Sequence, residues 1–313
     1  MAETNAEETT ERTVKVHLEP KDPTLDRKLI ISVAPTGGFL LKEHNPHQPI
    51  TAEEIVTSVI ESYREGASVW HVHARKADGT PSRDPAVIQE LEDRVMEECP
   101  DILFSSNVRA DMTKQGVDSI RPIVDGLMER GARSGKRYMH TAVIPPYNRP
   151  TQVNRTILKE VVKYLQERNI KPELQIHNYE SIHHVQDWLI ADGTLEKPYL
   201  NNLCMGFHGH DYSSPTGNPW GLFYMLTFLS QLPKDSITGL IVGGRNWLPL
   251  LTVALTQGVD TVRVGTEDTV WLYPHKDEKI RSCAQVVKKI AAIARELGRE
   301  IATPAEARQI LGV

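Results

Sequence analysis

Two histidines one residue apart, His71 and His73, stand in the stretch Ala67-Ser68-Val69-Trp70-His71-Val72-His73-Ala74-Arg75. The stretch reads as a short buried strand that ends in polar groups. Successive strand side chains point to opposite faces, so residues two apart share one. The two imidazoles therefore project together and Val72 points away. Two neutral imidazole nitrogens converging on one point make half of a zinc site. The plainer alternative is a pair of polar residues at a strand end, satisfied by hydrogen bonds.

A catalytic zinc needs a third protein ligand and an open position. The best candidate is Glu267 in Val262-Arg263-Val264-Gly265-Thr266-Glu267-Asp268, at the end of a later strand. Asp268, pointing elsewhere, can act as a general base. Pairing with Arg263 would hold its carboxylate ionised and oriented. A lone Glu-Asp pair would otherwise read as a surface turn. His208-Gly209-His210 repeats the His-x-His spacing, but its Gly, Pro and Ser surroundings suggest a loop that lines a pocket. His183-His184 opens a helix and is expected to face solvent. Phe223-Tyr224-Met225-Phe228 has helical spacing and reads as core.

The elements that must position these groups alternate along the chain. Short apolar runs begin near Leu29, Val69, Ile102, Tyr138, Glu173, Tyr199, Ile237 and Thr261, and an amphipathic run follows each. Thr51 and Glu54 form a capping box ahead of the first helix. Asp84-Pro85 opens the second, and the last long helix is expected over 278–297. Thr303-Pro304 caps a short final helix with Pro in its first turn. Strands alternating with helices imply right-handed crossovers and a parallel sheet. Eight such pairs predict a closed (β/α)8 TIM barrel, with His71, His73, Asn107, His177, His208 and the 267–268 acids at C-terminal strand ends. The alternative is an open doubly wound sheet, but no GxGxxG follows the first strand. Residues 1–27, polar and rich in Glu and Thr, are expected to form a flexible or surface-wrapped extension, and 28–313 a single barrel domain.

The chain has 313 residues, 40% hydrophobic and 25% charged, with formal net charge -5. Dispersed Lys and Arg and an acidic balance predict no nucleic-acid partner and no binding to anionic membranes. No apolar run is long enough to span a bilayer. Three widely spaced cysteines with no CxxC pair predict reduced thiols and a cytoplasmic setting, with Cys204 buried.

Four motifs in order carry a resemblance. They are Pro35-Thr36-Gly37-Gly38; His71-Val72-His73-Ala74-Arg75 with Asp78-Gly79-Thr80-Pro81-Ser82; Arg263-Val264-Gly265-Thr266-Glu267-Asp268; and Leu297-Gly298-Arg299-Glu300-Ile301-Ala302-Thr303-Pro304-Ala305-Glu306-Ala307-Arg308. Together the chain resembles the β-keto acid cleavage enzymes, formerly labelled DUF849, from about residue 29 to 313. The resemblance implies a zinc-dependent barrel, usually a homotetramer. Its partners would be a small-molecule β-keto acid and a CoA ester: CoA passes from acetyl-CoA to part of the keto acid, and acetoacetate is released. By position, His71, His73 and Glu267 match the metal ligands, Asp268 the base and Arg263 its partner.

The pocket wall departs from the family. Phe39 stands where some members carry an acid that reads a cationic substrate group. Asn107 takes the place of a serine, with Ser105 and Ser106 beside it. His140 and Thr141 stand in for an Asn-rich pattern, Gln175 and Asn178 for acids. Gly206-Phe207-His208-Gly209-His210-Asp211 replaces a glycine-rich uncharged loop. Phe39, Ser105, Asn107, His140, Thr141, His208 and Arg245 are therefore the expected substrate-binding residues. Arg245 precedes a helix N-terminus suited to an anion, such as a substrate carboxylate or a CoA phosphate. Two other functions compete with this one. A zinc hydrolase would use His177 and His208 or His210 as further ligands. A non-catalytic barrel would close its metal with four protein ligands.

Overall fold

The computed structural model describes residues 18–21, 23–146, 153–206 and 221–313. Eight parallel strands close into a barrel: β1 (Ile30–Val33), β2 (Val69–Val72), β3 (Leu103–Ser106), β4 (Thr141–Ile144), β5 (Lys171–Ile176), β6 (Tyr199–Met205), β7 (Ser236–Val242) and β8 (Thr261–Val264). Closure runs from β8 back to β1, with Ile30 opposite Thr261 and Val33 opposite Val264. The expected (β/α)8 architecture is the one observed. Among the described residues no helix is long and apolar enough to cross a membrane.

Helices follow the strands: α1 (Ala52–Arg64), α2 (Pro85–Glu98), α3 (Val117–Ser134), α4 (Arg155–Gln166), α5 (Tyr179–His183) continued by a π-helical stretch (His184–Ile190), α6 (Gly221–Gln231), α7 (Trp247–Thr256) and α8 (Cys283–Glu296). Among the described residues a ninth, α9 (Pro304–Leu311), comes last. The Thr51–Glu54 and Thr303–Glu306 capping boxes both form. The last long helix starts later than its sequence pattern suggests. Ser282 accepts from the Gln285 N–H and sets its first turn, while 278–282 belong to the loop that follows β8.

Alternation sorts the strand residues. Trp70, Val72 and Phe104 face outward into the layer between sheet and helices. Ile30, Val69, Leu103, Leu200 and Ile237 face inward and form an apolar floor with Ala307 and Leu311 of α9. The C-terminal motif is thus a plug at the N-terminal end of the barrel, far from the strand ends where chemistry occurs in this fold. Above the floor the interior turns polar, with Ser32, Thr141, Glu173, Asn202 and Arg263 lining one cavity.

Two expectations about helices fail. His183 is exposed and pairs with Asp187, but His184 is buried. It stacks on Trp188 and contacts the Pro146 carbonyl, because the π-helical stretch turns it inward. In α6, Met225 and Phe228 are core, whereas Phe223 and Tyr224 are 62% and 52% exposed. Cys99, Cys204 and Cys283 are buried free thiols.

Candidate active site

β2 ends at Val72, and His73 follows as the chain leaves the barrel for a hairpin of Ala74–Arg75 with Pro81–Ser82. His71 and His73 do share a face, their ring centroids 5.1 Å apart. Glu267 approaches them from the turn after β8. Its backbone N–H donates to the Ala34 carbonyl, which locks that turn to the end of β1. Gly265 makes this close approach possible: its φ is +148°, and a Cβ there would lie 2.1 Å from the Ala34 oxygen. Gly37 matters for space alone, since a Cβ would meet Glu267 Cγ at 2.6 Å.

The three side chains converge. Glu267 Oε1 lies 3.5 Å from His71 Nε2 and 3.4 Å from His73 Nε2. Two donors each bound about 2.0–2.1 Å from a tetrahedral zinc stand about 3.3–3.4 Å apart, so the spacing fits a metal at their centre. His71 Nε2 and Glu267 Oε2 are buried without hydrogen-bond partners, a costly state that a metal would relieve. Among the described residues this trio forms the metal-competent cluster, and His177 is not part of it. Burial lowers the His73 pKa despite Glu267, keeping its ring neutral, as a ligand must be. Burial opposes ionisation of Glu267, but its polar neighbours, with the fixed charge of Arg263 among them, hold the carboxyl well below its usual range.

Arg263 and Asp268 pair as the sequence suggests. Arg263 Nε donates to Asp268 Oδ2 at 3.0 Å and Nη2 to Oδ1 at 2.5 Å, with both side chains nearly inaccessible. Nη2 also stands 3.5 Å from Glu267 Oε1, so one guanidinium joins the base candidate to the ligand trio. Burial works against the Arg263 charge, yet Asp268 and Glu267 raise its pKa.

The remaining predicted residues separate by depth. Asn107 is at the mouth, with Nδ2 3.2 Å from His73 Nε2. Phe39 is 55% exposed in the loop after β1. Ser105 and Thr141 lie lower, inside the barrel. Ser105 Oγ is 3.2 Å from His71 Nδ1, and both hydroxyls donate to Glu173. His140 does not join the site. It precedes β4 at the opposite end of the barrel, accepts the Phe104 N–H at Nδ1 and faces Arg308 of α9. Burial pushes its pKa down to about 3. Arg245 is occupied: it reaches the Lys276 carbonyl and Asp277, and lies 3.5 Å from the Trp271 ring centroid. His208 lies outside the described residues, as do His210 and Asp211.

Three polar positions that the structure brings to the site escape the sequence reading. Glu173 is an inward carboxylate on a strand that reads as apolar. Its only signal is an acid in the middle of a buried run. Arg75 belongs to a motif without an obvious role. Its guanidinium binds Thr36 Oγ1 and the carbonyls of Gly37, Leu40 and Gly79, fixing the loop that carries Gly37 and Phe39. Arg109, just past β3, has a left-handed φ of +47°, which is uncommon for a residue with a Cβ. Its Nη2 lies against Gly38, where a Cβ would be 2.6 Å away.

Residues 28–313 match the family model described as beta-keto acid cleavage enzyme. The chain belongs to that family. It is 29% identical over 286 residues to the 3-keto-5-aminohexanoate cleavage enzyme of Acetoanaerobium sticklandii, covering 91% of this chain and 98% of the relative. It is 30% identical over 291 residues to the 3-oxoadipate:acetyl-CoA acetyltransferase of Cupriavidus necator, covering 91% and 94%. The ternary complex of ObcA with a C4-CoA adduct and oxalate shares the fold, with a TM-score of 0.59 at 17% identity over 86% of this chain and 68% of that one. As a β-keto acid cleavage enzyme the chain is expected to place its chemistry at the C-terminal barrel mouth, where the trio and the Arg263–Asp268 pair lie.

Proposed function

We propose that this β-keto acid cleavage enzyme uses one zinc ion and acetyl-CoA to convert a β-keto acid, R-CO-CH2-COO⁻, into R-CO-S-CoA and acetoacetate. The observation that carries the reading is the convergence of His71, His73 and Glu267 beside a base already held by arginine. Relatives whose names include acetyl-CoA support the co-substrate. Bound zinc would act as a Lewis acid on the keto oxygen and stabilise the negative charge that develops there.

The chain's own groups divide the remaining work. Asp268 takes the proton from the carbon between the two carbonyls. Arg263 keeps it ionised and fixes both oxygens, so the carboxylate meets the substrate in one orientation. Deep burial of both strengthens their interaction by excluding water. Asn107, whose Oδ1 accepts the Arg109 N–H, holds its amide against His73 and lines the mouth.

The distal end of the substrate carries no positive charge in this reading. Phe39 replaces the acid that would pair with an ammonium, so a cationic tail meets no counter-charge at that position. Arg109 adds a cation on the same side: the ion pairs among the described residues do not include it, and Arg83 beside it is already lowered by burial and by the Arg109 charge. Two neighbouring guanidinium groups favour a neutral or anionic tail. Three buried free thiols suit the cytoplasm, and the exposed Phe223 and Tyr224 of α6 suit a subunit contact in a homotetramer.

The test is incubation of zinc-loaded protein with acetyl-CoA and a panel of β-keto acids, with acyl-CoA and acetoacetate read by mass spectrometry. Formation of both in equal amounts, dependent on acetyl-CoA, is the expected result. Release of acetate and free CoA alone would instead favour a hydrolase.

A further inference from the structure

Glu173 is buried to 5% exposure inside the barrel and accepts three side-chain hydrogen bonds. Ser105 Oγ and Thr141 Oγ1 donate to Oε2 at 2.6 and 2.9 Å, and Asn202 Nδ2 donates to Oε1 at 2.7 Å. Asn202 itself fits only because Gly239 on the neighbouring strand has no side chain: a Cβ there would lie 1.7 Å from Asn202 Oδ1. Four strands thus meet at this carboxylate, and the network extends to a fifth. Ser105 is the register partner of His71 across β2 and β3, and its Oγ is 3.2 Å from His71 Nδ1.

The proton count fixes the direction of this chain. A carboxylate only accepts, so the single Ser105 proton goes to Glu173. The Ser105 oxygen is then left with acceptor capacity alone toward His71, and Nδ1 must carry the ring proton. In a neutral imidazole the other nitrogen is then bare. That nitrogen, Nε2, is the one that faces Glu267 and lacks any hydrogen-bond partner.

We propose that Glu173 is a positioning residue that acts through Ser105: it selects the Nδ1–H tautomer of His71 and aims a bare Nε2 at the metal position. The inference rests on the metal reading given above. Partners behind a metal-bound histidine fix its tautomer and orientation, and their loss commonly costs about 10–100-fold in metal affinity. Here the partner is indirect, with a hydroxyl inserted between carboxylate and ring. With the carboxylate gone, the Ser105 hydroxyl is free to rotate and donate to Nδ1, which would place the ring proton on Nε2, where it blocks coordination.

The decisive measurement combines tautomer and affinity in Glu173→Met, which removes the acceptor, Ser105→Ala and the double variant. In metal-free wild-type protein labelled with ¹⁵N-histidine, the His71 signals should report a protonated Nδ1 and a bare Nε2. Zinc affinity, measured by competition with a chromophoric chelator, should fall about 10-fold or more in each single variant. In the double variant it should fall no further than in Ser105→Ala, because Glu173 works only through that hydroxyl. Rescue of Ser105→Ala by Ser105→Thr, which restores the hydroxyl, is also expected. An Nε2–H tautomer in the wild-type apoprotein overturns the proposal, as does a double-variant loss equal to the product of the single losses. Because the tautomer is read without metal, Ser105→Ala decides the matter even where Glu173→Met does not fold. Failure of wild-type protein to bind zinc at all would overturn the metal reading instead, leaving the tautomer result to stand or fall separately.

Discussion

Arg263 grips Asp268 at two points, Nε to Oδ2 at 3.0 Å and Nη2 to Oδ1 at 2.5 Å, inside a barrel mouth that also holds the His71, His73 and Glu267 trio. The two residues are only five apart in sequence, yet Arg263 comes from strand β8 and Asp268 from the turn that Gly265 makes possible. A planar guanidinium matches a carboxylate in a way that an ammonium cannot. The pair therefore orients the acid as well as charging it.

Replacing Asp268 by Asn should leave the fold and the bound metal in place while turnover falls about 10²–10⁴-fold, the usual contribution of a general base. Steady-state kinetics on the substrate identified by the β-keto acid panel checks this. A rate within a few-fold of wild type would place the base elsewhere.

His71→Ala removes one of three neutral or anionic ligands and should strip zinc from the purified protein. Elemental analysis should give close to one zinc per wild-type chain and well under half that in the variant. Full occupancy in His71→Ala would mean that the trio is not the metal site.

Arg109→Met tests the charge at the mouth. For an anionic-tailed β-keto acid, kcat/KM should drop about 10-fold or more, since a hydrogen bond to a charged group is worth about 1.5–3 kcal/mol. For a cationic-tailed compound of equal length it should stay level or rise. Wild-type preference for the cationic compound would show that the tail pocket has the opposite character.

Acid should destabilise the metal-free protein in a particular window. Burial, assisted by positive neighbours, depresses His177 to about 4 and His140 to about 3. Both folded-state values lie below the unfolded value of about 6.5, so the unfolded chain takes up these protons first. Their contribution is complete above pH 6.5 and is lost as pH falls toward the folded values. Each ring should steepen the loss by about 1.4 kcal/mol per pH unit between pH 6 and 4. Urea unfolding across this range should show a shallower slope for His140→Asn than for wild type. Equal slopes would mean that His140 is as free to protonate when folded as when unfolded.

Much of this protein was already determined by its sequence. The two-residue period placed His71 and His73 on one face whatever fold they sat in. Eight alternating units left little choice but a barrel, and the caps at Thr51 and Thr303 act within four residues of chain. What the sequence left open is how deep each inward residue sits and what it meets across the barrel. Alternation says that Ser105, Thr141 and Glu173 point inward, but only barrel closure and strand register bring their polar atoms together beneath His71. The same closure carries His140 to the far end, beside Arg308, although Thr141, one residue later, faces the site's lower layer. Arg109 reaches Gly38 through contact between the ends of β1 and β3, two strands separated by β2. Local pattern is set by covalent spacing, and so it can be read along the chain. Depth and partnership depend on contacts between residues tens to hundreds of positions apart, and those exist only once the barrel has closed.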